Sequence, residues 1–112
     1  MLPAVHRLRR SSDFRLVARR GRRVSSPTVL LHAIVGPAGE PALVGFVVSK
    51  GVGTAVVRNL VKRRLRHAAA GDVPALAGWQ LVVRAKPEAA DASFAQLAAD
   101  LRRSWTKVVS QQ

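Results

Sequence analysis

The sequence has no cysteine and only six acidic residues, against 19 lysines and arginines. Without thiols the chain can form no disulfide, no thiol nucleophile and no thiolate metal site, which fits a reducing compartment. The acids are isolated, with no D-x-D or E-x-x-H pair, so the carboxylate cluster of an independent metal nuclease is missing. His6, His32 and His67 are dispersed and do not suggest a zinc site. We therefore expect no catalytic residue and no metal ligand in the polypeptide.

Long apolar runs are also missing. No run approaches the roughly 20 residues of a membrane helix, and the start "MLPAVHRLRR" lacks the apolar core of a secretory signal. Hydrophobic residues still make up 48% of the 112 residues, so one modest core can form. We expect a single domain over residues 1–112 and a cytoplasmic location. A mitochondrial transit peptide is the weaker interpretation of the Arg-rich start, because Phe14, Leu16 and Val17 look like core residues.

Positive charge is what the chain has in excess, with a formal net charge of +13. Residues 7–23 carry eight arginines and one aspartate, and residues 58–66 carry five cations in nine positions. Soluble surfaces usually mix both signs, and each like-charged i,i+4 pair on a helix costs about 0.2–0.5 kcal/mol. A polyanionic partner would offset that cost. Nucleic acid is the first candidate and an anionic membrane surface the second.

Periodicity and turn residues predict the order helix, two strands, helix, strand, helix. The first helix is short and lies within "SSDFRLVARRG", with Ser11 or Ser12 as its cap and Gly21 at its end. "TVLLHAIVG" and "ALVGFVVSK" are strands that we expect to form a hairpin across "GPAGEP", with a short extra strand near residues 23–25 as an option. "WQLVVRAKP" is the next strand. The last helix has Asp91 or Ser93 near its cap, and its predicted apolar stripe is Phe94, Leu97, Leu101, Trp105 and Val108.

The helix over residues 54–71 is amphipathic, with Thr54 as its predicted cap. Its apolar arc is Val57, Leu60, Val61, Leu65 and Ala68, and its polar arc is Arg58, Asn59, Lys62, Arg63 and Arg66. Arg64 falls within the apolar arc, where it must snorkel or lie at an edge. The preceding "KGVGT" lacks the spacing of a phosphate-binding loop, so we interpret it as a glycine-assisted turn. That turn leaves a generic anion site at the helix start, with Lys50 beside it.

Residues 49–68, "SKGVGTAVVRNLVKRRLRHA", resemble the basic signature segment of the bacterial ribonuclease P protein family. "HRLRRSSDFRLVARRG" is similar to the family's first helix and "VVRAKP" to its strand after the basic helix, so the likeness covers roughly residues 6–106. The resemblance implies an α/β (α+β) two-layer sandwich of order α-β-β-(β)-α-β-α. It also implies a left-handed βαβ crossover around the basic helix, which periodicity would not give because right-handed crossovers are the strong default.

The resemblance further implies a function. The family's protein pairs, one per RNA, with a catalytic ribonuclease P RNA that removes the 5′ leader of precursor tRNA, using Mg²⁺ bound mainly by the RNA. No membrane is involved. An alternative from the residues alone is a stand-alone binder of structured RNA, of ribosomal or chaperone type.

The family's functional positions carry over to two groups of residues. The matches to its catalytic-RNA contacts are Lys50, Arg58, Asn59, Lys62, Arg63 and Arg66. Phe14 matches an aromatic that lines the leader groove, and His32 stands at a groove position that is often aromatic. A protonated His32 could meet a phosphate, although a purely structural histidine is an equal alternative. The chain departs from the family pattern at Leu60, which replaces an arginine, and at Gly51 and Ala18.

Overall fold

A computed structural model describes residues 7–8, 10–37 and 39–110 of the chain. Its helices are α1 (Ser11–Arg20), α2 (Ala55–Ala70) and α3 (Phe94–Ser110). Its strands are β1 (Arg22–Ser25), β2 (Val29–Val35), β3 (Leu43–Val47) and β4 (Trp79–Ala85). Single 3-10 turns cover Lys50–Val52, Val73–Leu76 and Pro87–Ala90. Within these ranges, no helix is long and apolar enough to span a bilayer.

The strands form one mixed sheet in the order β1-β2-β4-β3. β2 runs antiparallel to both β1 and β4, and it faces β4 from Val29↔Ala85 to Val35↔Trp79. β3 runs parallel to β4. The three central residues of β4 are buried, as an apolar "LVV" run in an interior strand should be.

The predicted hairpin between the second and third strands is wrong, because β4 lies between β2 and β3. The parallel pair β3–β4 needs a long crossover, and α2 supplies it. β4, whose central residues are buried, therefore takes an interior position beside β3 and offers its other edge to β2. The hairpin partner of β2 is instead β1, paired from Arg22↔Ala33 to Ser25↔Leu30. The optional extra strand and the βαβ unit are thus confirmed.

The two faces of the sheet carry different helices. α2 and α3 pack against each other, with α2 against β3 and α3 against β1 and β2, while α1 packs against β2 and β4. The larger core belongs to the α2–α3 face and includes Leu31, Leu65, Leu81 and Leu97. A smaller cluster on the α1 face joins Leu8, Val17 and Val82. The mixed α/β fold is confirmed.

The predicted N-terminal caps are confirmed for two of the three helices. Thr54 caps α2, since its Oγ1 accepts from the Val57 N–H at 3.4 Å. Ser93 caps α3 reciprocally with Gln96: the Gln96 N–H donates to Ser93 Oγ at 3.1 Å, and the Ser93 N–H donates to Gln96 Oε1 at 2.8 Å. The serine cap predicted for α1 is wrong, because that helix already begins at Ser11 and its N-cap residue, Arg10, makes no side-chain cap bond.

The apolar stripe predicted for α3 holds except at its start. Leu97, Leu101, Trp105 and Val108 are buried, whereas Phe94 is 46% exposed. Phe94 was assigned to the stripe by spacing alone. It is the first residue of the helix, where the sheet no longer covers the ring.

A buried carboxylate ties α3 to the turn between β1 and β2. Asp100 is 5% exposed, and its Oδ2 accepts hydrogen bonds from the Thr28 N–H at 3.1 Å and the Thr28 hydroxyl at 2.5 Å. Its Oδ1 pairs with Arg103. The Ser104 hydroxyl donates to the Asp100 backbone carbonyl at 2.7 Å. A buried charge is tolerated when it is paired and hydrogen-bonded in this way.

Candidate RNA-binding surface

The polar face of α2 is held outward by the burial of its opposite side. Val61, Leu65 and Ala69 are buried against the core, while Asn59 and Arg63 are exposed. Gly53 precedes the helix with a φ of 155°, a value that L residues rarely adopt, and so lets the chain turn out of the short helix that contains Lys50. Lys50 is exposed beside the start of α2.

Arg58 lies at the border between the two faces of α2. It lines a cleft of about 180 Å³ with Val48, Ala55, Asn59 and Lys62, which we name the helix cleft. Its Nε is buried and has no hydrogen-bond partner within the protein. An unsatisfied buried donor is costly, and a phosphate oxygen entering the cleft would satisfy it. The helix cleft therefore has the chemistry of an anion site.

A second cleft wraps around the edge of β3. It measures about 350 Å³, we name it the edge cleft, and its lining residues are Arg7, Leu8, Phe14, Phe46, Lys62 and Arg66. Phe46 belongs to the core on the α2 side of the sheet, whereas Phe14 packs with the cluster on the α1 side. Lys62 lines both clefts. Cations of α2 and the aromatic ring of α1 thus border one continuous depression.

α1 crosses the strands on the other face of the sheet. Near its start, the Phe14 ring covers Gly45 on β3 so closely that a Cβ there would lie 2.3 Å from the ring. After its end, Gly21 presses on β2, where a Cβ would lie 2.9 Å from the Ala33 nitrogen. The residues of the sheet beside α1 include Gly45, Val82, His32 and Arg23, which are direct partners across four strands. We call this side of α1, with the row of sheet residues beside it, the α1 groove.

His32 is the buried member of β2 in the row of strand partners beside α1. It is 7% exposed, and its Nδ1 has no hydrogen-bond partner. Burial above all, and then the nearby charges of Arg23 and Arg84, lower the pKa of His32 below its usual value of 6.5. The imidazole is therefore neutral at pH 7, which argues against the protonated, phosphate-binding role. His32 lies beside the α1 groove, but its small exposed area leaves little surface for stacking.

Two cations beside His32 were missed by the sequence analysis. Arg23 is its partner on β1, and Arg84 lies one row further along, opposite Leu30 and Val47. Both arginines are exposed. The alternation in β4 could have placed Arg84 on the face of Val82, but its proximity to His32 requires the β2–β4 pairing, which was not predicted.

Arg64 does not replace the cation that is absent at Leu60. Its Nη1 donates to the backbone carbonyl of Ala92 at 3.2 Å, so the side chain points toward the start of α3. The side chain is half-buried and its guanidinium reaches a backbone carbonyl, which agrees with the expectation that it snorkels or lies at an edge. Leu60 itself is 38% exposed. The polar face of α2 is therefore one cation short of the pattern that the resemblance implies.

A cationic helix face that continues around a sheet edge into an aromatic-lined groove defines a small α/β protein of the RNA-binding class. Among the described residues, no group of three or more acids, histidines or cysteines could hold a metal ion. The surface offers phosphate contacts and an aromatic ring for stacking.

Comparison with known proteins gives the family. The sequence model of the family Ribonuclease P matches residues 2–109. The ribonuclease P protein component of Nocardioides sp. is 55% identical over 111 residues, covering 96% of this chain and 95% of the relative. That of Acidothermus cellulolyticus is 50% identical over 105 residues, covering 92% and 88%. The chain belongs to the ribonuclease P protein family, and it is thus a protein subunit of ribonuclease P, which functions in tRNA 5′ processing.

Solved structures agree with this fold. The Staphylococcus aureus RNase P protein superposes with a TM-score of 0.81 at 22% identity, covering 92% of this chain and 94% of the other. The Thermotoga maritima RNase P protein gives a TM-score of 0.75 at 22% identity, with coverages of 87% and 92%. At this identity the likeness concerns the fold alone.

Proposed function

We propose that this subunit holds two RNAs on one continuous surface: the ribonuclease P RNA on the polar face of α2 and the 5′ leader of precursor tRNA in the α1 groove. The edge cleft carries the proposal, because it joins Lys62 and Arg66 of α2 to Phe14 of α1. A leader leaving the RNA's active site would pass from cations that bind its phosphates to an aromatic ring that stacks its bases.

Catalysis is assigned to the RNA and its Mg²⁺ ions, with the polypeptide inactive by itself. The described acids support this division of labour, because the two that lie partly or fully buried on the α2–α3 side are already paired. Asp100 is held by Thr28 and Arg103, and Asp72 pairs with Arg102 at 3.1 Å. No two described acids share a site with a third potential metal ligand. We further propose one protein per RNA and a cytoplasmic location.

The polar face of α2 supports the contact with the catalytic RNA through its geometry. Arg58, Lys62 and Arg66 recur every fourth residue, so they follow one side of the helix about 6 Å apart. That interval suits successive phosphates, and arginine can bind each one with two hydrogen bonds. Arg58 lines the helix cleft, and its buried Nε has no hydrogen-bond partner within the protein.

The test is cleavage of a precursor tRNA by a bacterial ribonuclease P RNA at low Mg²⁺, with and without the protein, and with protein alone as a control. We expect the protein to restore 5′ cleavage that the RNA cannot sustain, and to be inert by itself. Binding without restored cleavage would favour the stand-alone RNA binder. Cleavage by the protein alone would overturn the assignment of catalysis to the RNA.

Variants separate the two parts of the surface. Phe14→Ala should weaken binding of a long-leader precursor and leave a leaderless tRNA unaffected, because only the leader meets the ring. Lys62→Ala should weaken binding of both the free ribonuclease P RNA and the long-leader precursor, since Lys62 borders both clefts. Lys107→Ala, an exposed cation on α3, is the charge-matched control. Equal effects of Lys62→Ala and Lys107→Ala would contradict the site.

A further inference from the structure

A second cationic site lies away from both clefts, at the corner where α1 turns into β1. A cleft of about 280 Å³ opens there, lined by Arg20, Arg22, Ala33, Ile34, Val35 and Trp79, and we name it the corner cleft. Two guanidinium groups border an apolar floor that comes from β2 and β4. None of these residues belongs to the α2 face or the α1 groove.

The corner packs closely against β2, and its central residue has no room for a side chain. A Cβ at Gly21 would lie 2.4 Å from the Val17 carbonyl oxygen, and the Gly21 N–H donates to that same oxygen at 2.7 Å. The backbone therefore lies directly on β2 at this point. Arg20 and Arg22 leave the chain on either side of this glycine, so both arginines start from the same closely packed corner.

The charge at the corner is concentrated and exposed. Arg19, Arg20, Arg22 and Arg23 give four cations in five positions, and all four are exposed. Mutual repulsion raises the free energy of such a cluster, and an anion lowers it. Paired guanidinium groups match phosphate oxygens with two hydrogen bonds each.

One apolar residue on the floor of the corner cleft, Val35, is unusually exposed to solvent. Val35 is 60% exposed at the end of β2, although it pairs across the sheet with Trp79, which is 7% exposed. An apolar floor beneath phosphate-binding arginines suits the planar base of an unpaired nucleotide, with its phosphate at the rim. A free inorganic anion would use the arginines and leave Val35 uncovered.

We propose that the corner cleft binds an unpaired nucleotide of the catalytic RNA, as a second contact remote from α2. This inference rests on the proposed pairing with that RNA. β1 and β3 are opposite edges of the sheet, separated by three strand spacings, or roughly 14 Å. The corner cleft lies beside β1 and takes Ile34 from the α1 side of the sheet and Ala33 and Trp79 from the α2–α3 side, whereas α2 contacts β3. A large folded RNA can reach both places, so it would hold the protein at two opposite edges of the sheet.

The first experiment compares Arg20→Ala/Arg22→Ala with the wild type in binding to ribonuclease P RNA without any tRNA. We expect about tenfold weaker binding at 0.15 M salt. The log–log salt dependence should become shallower by about 0.7, because the loss of one phosphate contact on a single strand removes about 0.7. Arg102→Ala/Lys107→Ala removes two exposed charges from α3 and should change neither the affinity nor its salt dependence much.

Thermal melting checks that each variant is folded. Arg20→Lys/Arg22→Lys keeps the charge, so it should retain most of the slope of the salt dependence.

The second experiment uses the absence of cysteine from the chain. Val35→Cys gives a single attachment point for a photoreactive group on the floor of the cleft. We expect cross-links to nucleotides of the ribonuclease P RNA that differ from those reached from Lys62→Cys. Ala99→Cys, exposed on α3, should give none.

The outcomes distinguish this inference from the proposed function. If the wild type does not bind the RNA, the proposed function fails. If the wild type binds and restores cleavage while the folded double alanine variant matches it in affinity and slope, the corner cleft alone is refuted. A loss seen only with long-leader precursors would also overturn the inference and assign the corner cleft to the leader.

Discussion

Gly45→Ala should disturb the α1 groove without touching the polar face of α2. The new Cβ would lie 2.3 and 2.4 Å from two carbons of the Phe14 ring. The ring must move by about 1 Å to reach an ordinary contact of 3.4 Å. Such overpacking costs about 1–3 kcal/mol, which for a domain of this size lowers Tm by roughly 4–12 °C.

The functional effect follows from the displaced ring. Stacking of a base on an aromatic ring is worth about 1–3 kcal/mol, so a displaced Phe14 should weaken long-leader binding by roughly tenfold. Binding of leaderless tRNA and of free ribonuclease P RNA should not change. The assay is equilibrium binding of the reconstituted complex to precursors that differ only in leader length, below the melting transition.

A matched control and a double variant test the mechanism. Gly71→Ala adds the same methyl group where no atom lies within 4 Å, so it should leave leader binding intact. If Gly45→Ala acts through Phe14, adding Phe14→Ala should cause little further loss of leader affinity. Unchanged leader discrimination in Gly45→Ala, or an equal loss for leaderless tRNA, would refute the placement of the leader against this ring.

Three further predictions concern stability. Asp100→Ala should lower the free energy of unfolding by about 2–3 kcal/mol in denaturant titration, because it leaves the buried Thr28 N–H and hydroxyl unsatisfied. Ser93→Ala should cost about 1 kcal/mol by removing the α3 cap. His32 has a lowered pKa in the fold, so the unfolded chain binds its proton more readily, and stability should fall as pH drops below 6.5 toward the lower folded pKa. His32→Phe should reduce that pH dependence.

Each of these has a result that would contradict it. Asp100→Asn keeps one acceptor oxygen, so a loss as large as that of Asp100→Ala would mean that the hydrogen bonds are not the cause. Gln96→Ala removes the other half of the α3 cap and should cost less than Ser93→Ala, since the Ser93 oxygen still caps the helix. If wild type and His32→Phe lost stability in parallel between pH 7.5 and 5.5, the titrating group would not be His32.

The amphipathic helix was predictable because its information is local. The 3.6-residue period of Val61 and Leu65 specifies the buried side, and the cations between them then have to face outward. Thr54 and Ser93 were predictable for the same reason, because a cap is a contact between residues three apart. Phe94 shows the limit of spacing, since its position on the stripe could not show that the core ends before it.

The sequence by itself determined that this is a basic RNA-binding chain, which segments are helices and strands, and which residues of α2 face outward, because composition and period are written along the chain. Only the tertiary structure decided that β4 lies between β2 and β3. That strand order in turn determines which residues far apart in the sequence come into contact. It brought Phe14 to Lys62 around one sheet edge, placed Arg84 beside His32, turned Arg64 to Ala92 and formed the corner cleft. Strand partners far apart in sequence are selected by the burial of whole faces, and no local pattern of residues records that choice.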